Sequence, residues 1–219
     1  MEDFQRMRGC PVEDFQRSCV HRRNNRQFHS NKMSSTLDLA ALTIGDVIVS
    51  GKGSKTAPLS YNGESIVWLP DRQQIAFEAR AFGNEDVARV NLVFQASASA
   101  IDQLTALDEQ IVILATANSL KLFGKVLSEA EVLMRYSPAL KHSEKFPATF
   151  KCKINLSGRG EVRIWDTEKN TRAAPASWIQ CAAVPKLTLR NVWMMGKEFG
   201  ITFDATDLLL TEASAECPF

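Results

Sequence analysis

The sequence has little of what hydrolytic, redox or metal chemistry requires. Beyond residue 33 it holds one histidine, His142, in a polar loop after Pro138. It has no Gly-x-Ser-x-Gly elbow, and none of its five cysteines (10, 19, 152, 181 and 217) sits in the surroundings of a nucleophile. Their odd number, wide scatter and lack of C-x-x-C spacing read as reduced thiols of an intracellular protein. Cys10, Cys19, His21 and His29 are spaced C-x8-C-x-H-x7-H, unlike any zinc finger, so no metal is expected. GKGSKT (51–56) ends like a phosphate loop, but Ser54 precedes Lys55, Val49 stands where the first glycine belongs, and APLS cannot begin the required helix. It reads as a flexible basic turn. Asp204 and Asp207 read as solvated acids beside the last strand. The expectation is a protein without catalytic residues and without a cofactor.

Long hydrophobic runs are also missing. No apolar stretch reaches the ~18 residues of a membrane span, the longest candidate being interrupted between Gln110 and Ser119. The opening MEDFQRMRGC has no secretory core. Charge of one sign is not in excess: the net is +1 over 219 residues. It is unevenly spread, because residues 1–33 hold seven Lys/Arg against four Asp/Glu. A claim of nucleic-acid binding therefore has to rest on local faces and not on global charge.

What is present is β-language. Residues 1–33, with EDFQR at both 2–6 and 13–17, lack core-forming periodicity and read as a disordered basic tail or an upstream extension before Met33. From Leu37 onward, IGDVIVS (44–50) and ESIVWLP (64–70) are short β-branched runs. QIAFEARAF (74–82) alternates, with Ile75, Phe77 and Ala79 on one side. ARVNLVFQAS (88–97) places Val90, Leu92 and Phe94 opposite Arg89, Asn91 and Val93. The period then changes: Ile101, Leu104, Leu107, Ile111 and Leu114 mark an amphipathic helix started by Ser97 or Ser99. A second helix is announced by the Ser128/Glu131 capping box and stopped at Ser137-Pro138. TFKCKINL (149–156), EVRIWD (161–166) and KLTLRNVWMMGKEFGITFDATDLLL (186–210) return to strands. Strands, two inserted helices and more strands predict one mostly β (α+β) domain.

Three places carry candidate binding residues. If 149–166 forms a hairpin, Phe150, Cys152, Ile154 and Leu156 face inward with Val162 and Ile164, leaving Lys151, Lys153, Arg163 and Trp165 outside. Cations around an indole suit single-stranded nucleic acid, with bases stacking on the ring and Lys/Arg neutralising phosphates. The plainer alternative puts Trp165 under a loop and leaves the lysines to solubilise the sheet. A second basic-aromatic group is Lys121, Phe123, Lys125, Arg135 and Tyr136, with Phe123 as a core plug in the plainer version. Trp193 at the last chain reversal is either a cap on the core or part of a nucleic-acid platform, whereas Met194 and Met195 are expected to cap the core.

In order, SYNGESIVWLP, QIAFEARAFG, ARVNLVFQA, LDEQIV, NSLKLFGKVLSEAEV, RYSPALK, KFPATFKCKI and LTLRNVWMMGKEFGITFDATDLLL resemble the predicted single-stranded-DNA-binding proteins of large DNA viruses. More loosely, they are similar to OB-fold binding proteins of short-tailed phages. The resemblance spans about 44–210, and its most specific part is the closing pattern of Trp193, Phe199, Gly200 and Ile201. It implies an elaborated OB-fold-like barrel over 34–210 that binds single-stranded DNA, or RNA, without chemistry, in replication, repair or recombination at a nuclear or viral replication site. A β-rich virion or scaffold subunit is the alternative, and a second copy of the chain is a further conceivable partner. The basic head departs from the resemblance, as does the lack of a long acidic C-terminal tail. Residues 211–219 end in Pro218-Phe219 near Glu212 and Glu216, which resembles the Pro-Phe tip by which bacterial single-strand binding proteins contact partners.

Overall fold

The computed structural model describes residues 36–37, 39–51, 53–81, 88–179 and 181–212. The expectations for residues 1–33, Pro218 and Phe219 lie outside them. Seven strands come first: β1 (Leu42–Ile44), β2 (Ile48–Val49), β3 (Lys55–Tyr61), β4 (Ile66–Trp68), β5 (Gln73–Ile75), β6 (Arg80–Ala81) and β7 (Arg89–Gln95). Three helices follow, α1 (Ala98–Ala117), α2 (Ser119–Phe123) and α3 (Glu129–Leu133). The chain then returns to strands β8 (Tyr136–Ser137), β9 (Thr149–Asn155), β10 (Arg163–Trp165), β11 (Cys181–Met195) and β12 (Glu198–Glu212).

The fold is organised by its last hairpin. β11 and β12 pair antiparallel from Cys181↔Glu212 to Met195↔Glu198, with register shifts at Lys186/Leu187 and Leu189/Asn191. Such irregularities increase local twist and bend a strand, so a long ribbon can coil instead of staying flat. The other edge of β11 takes β5 at Ala182–Ala183, β4 at Leu187–Leu189 and β3 at Asn191–Met194, all antiparallel. The other edge of β12 takes β8 at Phe199–Gly200, β9 at Phe203–Asp204 and β10 at Asp207–Leu209, all parallel. Because β5 also pairs β7, and β7 pairs β9, the ring β11-β5-β7-β9-β12 closes on itself. A closed five-strand ring with this crossed-over order is an OB-type barrel, so the mostly β fold expected from the sequence is the one observed.

Alternation fills the barrel. Val90, Leu92 and Phe94 of β7 and Phe150, Cys152 and Ile154 of β9 are buried, in the order their spacing predicts. Trp68 packs against Phe150 and Phe203 with ring centroids 5.8 and 5.7 Å apart, and Phe94 lies 5.3 Å from Phe150. Leu104, Leu107 and Ile111 of α1 are fully buried in the same core. That helix starts where Ser97 accepts the Ala100 N–H, and α3 carries the complete Ser128/Glu131 capping box.

Four expectations change. Among the described residues there are three helices, because Asn118 ends α1 and a short α2 follows before Gly124 adopts a left-handed φ of 72°. β9 and β10 do not form a hairpin ladder: each pairs in parallel with β12, at successive positions along the same edge. The run 74–82 is not one strand, since the chain leaves the β7 ladder after Ala76 and Phe77 emerges 51% exposed. Finally, Met194 is buried as expected but Met195, beside the Gly196-Lys197 turn, is 73% exposed.

Candidate nucleic-acid interface

The outer surface of the barrel is read from strand register, because directly paired residues share a face. Asn91 pairs with Lys153 and Val93 with Lys151, so Lys151 and Lys153 rise on the same side as Arg89, Asn91 and Val93. β6 extends this side by pairing Arg80 with Asn91. A depression of about 290 Å³ lies here, lined by Phe77, Glu78, Arg80, Asn91, Val93 and Lys151.

Phe77 is the aromatic group of this depression, and the alternation of its own segment points to the wrong side for it. Its exposure is set by Glu78. That carboxylate accepts the Ser177 hydroxyl, the Trp178 N–H at 2.9 Å and the Ile179 N–H at 3.4 Å. The Ser177 hydrogen bond, with the backbone donors, holds the Glu78 carboxyl below its ordinary range. Tethering Glu78 to a loop about 100 residues downstream turns the chain out of the ladder and leaves the neighbouring ring facing solvent.

Two carboxylates stand among the cations. Asp204 takes Arg190 at 3.1 Å and Arg89 at 3.4 Å; Asp207 takes Arg163 at 2.7 Å and Lys186 at 3.8 Å. Burial opposes ionisation of Asp207, but hydrogen bonds from Arg163, Trp165 and Thr206 outweigh it and keep its carboxyl below the usual value. The Lys153 pKa is lowered as well, which in a lysine disfavours the charged form: partial burial is the main cause, with the charges of Arg89 and Lys151 adding to it against the pull of Asp204.

The candidate residues are thus divided. Lys151 and Lys153 come together in the β7–β9 face. Arg163 and Trp165 adjoin it along β12, although Trp165 donates its indole N–H to Asp207 at 3.1 Å, and Arg163 lies over that ring at 5.8 Å. The group from Lys121 to Tyr136 is not gathered into one patch. Phe123 and Tyr136 both pack on Phe199, at 5.2 and 5.1 Å, and the Tyr136 hydroxyl donates to Asp108 at 2.5 Å. Lys121 bridges to Asp46 at 2.9 Å and donates to the Ile44 carbonyl at 3.2 Å, while Lys125 is exposed and Arg135 half-buried. Trp193 is half-buried across from Gly200, its indole N–H donating to the Ile201 carbonyl at 3.3 Å. A Cβ at residue 200 would lie 2.8 Å from both the Trp193 ring and the Ser137 carbonyl oxygen, so the ring uses the space that only glycine leaves.

A closed barrel with a grooved, basic and partly aromatic outer face, and no cluster of metal-ligating groups among the described residues, defines the class to which this chain is comparable. No protein-family model matches the sequence, and no curated protein matches it. Among solved structures it is similar to the single-stranded DNA-binding protein from bacteriophage Enc34 in complex with ssDNA, at 10% identity and a TM-score of 0.41. It is likewise similar to a C-terminal truncation of that protein, at 9% and 0.42, with 78% of this chain and 92% of the other covered in both cases.

Proposed function

We propose that this chain binds single-stranded nucleic acid, DNA foremost, on the outer face of β7 and β9, and performs no chemistry on it. The observation that carries this reading is the exposed Phe77 ring in a depression shared with Arg80 and Lys151, beside Lys153 and Arg89. An unstacked base has an aromatic face to lie on, and its flanking phosphates have guanidinium and ammonium groups to meet. Duplex DNA keeps its bases stacked and hides the surfaces that Phe77 would contact, so single strands are favoured. Within this reading the protein serves replication, repair or recombination inside the cell, at a nuclear or viral replication site. Pro218 and Phe219 are its proposed contact with replication proteins. Titrating labelled oligo-dT at several salt concentrations tests the binding. Affinity should fall steeply with salt and Trp fluorescence should change. No binding, or binding indifferent to salt, removes the reading.

An assembly role is the second reading, favoured by the exposed Leu120, Val126, Leu133 and Met134 around α2 and α3. It predicts concentration-dependent self-association that salt does not weaken.

A further inference from the structure

The barrel does not account for all of the grooved surface. A larger depression, about 470 Å³, lies outside the five-strand ring, where β3 and β4 flank β11; it is lined by Pro58, Ser60, Glu64, Ser65, Thr188 and Arg190, among others. Register connects it to the first depression. Arg80 pairs with Asn91, Asn91 with Lys153, Lys153 with Asp204, Asp204 with Thr188, and Thr188 with Val67. These residues form one transverse row on the outer side of six successive strands, four of them in the closed ring, so the row follows the curve of the barrel wall. Its first members line the Phe77 depression and its last members line the β3–β4 depression.

Resting on the single-strand reading above, we infer that the β3–β4 shelf is a second subsite, and that the bound strand crosses the barrel face and continues onto it. Strands lie ~4.8 Å apart, so the row is about 24 Å long, of which the barrel part, Arg80 to Asp204, is about 14 Å. At ~3.4 Å per stacked nucleotide the barrel part serves about four nucleotides and the whole row about seven.

Arg190 stands at the junction. It is 57% exposed and reaches Asp204 through Nε at 3.1 Å, while Arg89 holds the same carboxylate at 3.4 Å. Asp204 therefore keeps one cation if Arg190 turns to an arriving phosphate. Inside the shelf the chemistry changes from cationic to neutral and acidic: exposed Ser65 offers a hydroxyl, Ser60 one that also bonds the Thr43 hydroxyl at 3.0 Å, Pro58 an apolar surface and Glu64 a carboxylate. Phosphates are favoured at the Arg190 end and bases beyond it. Exocyclic amino groups of cytosine, adenine or guanine can donate to a carboxylate, whereas thymine offers only its ring N3–H.

The test compares oligonucleotide lengths on the full chain. Arg190→Ala removes the junction cation, and Ser65→Glu adds negative charge at an exposed shelf position. Each should weaken a labelled dT12 by about five- to tenfold while changing a dT5 by less than about twofold, because all but about one nucleotide of the shorter strand fits on the barrel face. A photoreactive base in dT12, but not in dT5, should crosslink to the peptide containing 55–68. Equal effects on both lengths, no effect on dT12, or absence of that crosslink overturns the shelf and leaves the barrel-face reading standing. Failure of the unaltered protein to bind either length overturns both.

Discussion

Replacing Phe77 by alanine separates a stacking platform from an incidental surface ring. With 51% of the residue exposed, the ring contributes only part of the ~1.5–3 kcal/mol that full burial of such a side chain yields, so folding should lose at most about 1 kcal/mol. Its effect on binding should be larger. A base stacked on an aromatic side chain is worth ~1–3 kcal/mol. At about 1.4 kcal/mol per tenfold, Phe77→Ala should weaken a short oligo-dT by roughly 5- to 150-fold. No charge is removed, so the slope of log affinity against log salt should stay the same. Lys151→Ala should do the opposite, lowering the slope by about 0.7, the value for one phosphate contact on a single strand, with a modest loss of affinity. Fluorescence anisotropy at four or five salt concentrations, with thermal melts as the folding control, reads both quantities. Phe77→Trp should retain binding, since the indole offers a larger stacking face. If Phe77→Ala binds as tightly as the parent while melting at the same temperature, the depression is not a base platform and the reasoning fails.

Other outcomes follow from the same geometry. Tyr136→Phe removes the hydroxyl donor to Asp108, a carboxyl that burial already pushes up, and should cost about 1–3 kcal/mol in a urea titration while leaving oligo-dT affinity unchanged. Gly200→Ala should destabilise by about 1–3 kcal/mol, and Trp193→Ala in the same chain should restore only part of it, because the Ser137 carbonyl oxygen is also 2.8 Å from the added Cβ. The Asp207 carboxyl is held below its ordinary 3.8, so its contribution to stability is complete above that pH and is lost as pH falls through the lower folded value. Melting temperatures followed from pH 5 downward should show a shallower acid loss in Asp207→Asn; identical profiles would mean the Arg163 and Trp165 contacts contribute nothing to folding.

Much of the scaffold was legible in the residues. Period two at 88–97 and 149–156 identified the inward side chains of β7 and β9, because a half-buried strand has to alternate. Ser97 or Ser99, of which Ser97 is the cap, and the Ser128/Glu131 box marked two helix starts, since the orphan N–H groups of a first turn need a local acceptor. Lys151 and Lys153 could be assigned to one face for the same reason of alternation. What alternation cannot state is which strand lies alongside. EVRIWD and TFKCKINL are close in sequence and look like hairpin partners, yet both lie parallel to β12, which is made some 40 to 50 residues later. Their cations therefore meet Asp204 and Asp207, carboxylates whose role has no local signature. Phe77 was hidden for a related reason. Its spacing from Ile75 puts it on the inward side of a continuous strand, but the tether from Glu78 to Ser177, Trp178 and Ile179 ends that strand. Backbone periodicity is a local property and survives in the sequence, whereas closure of the ring, the pairing of charges across it and the eversion of one aromatic ring depend on contacts about 44 to 115 residues apart, which only the folded chain brings together.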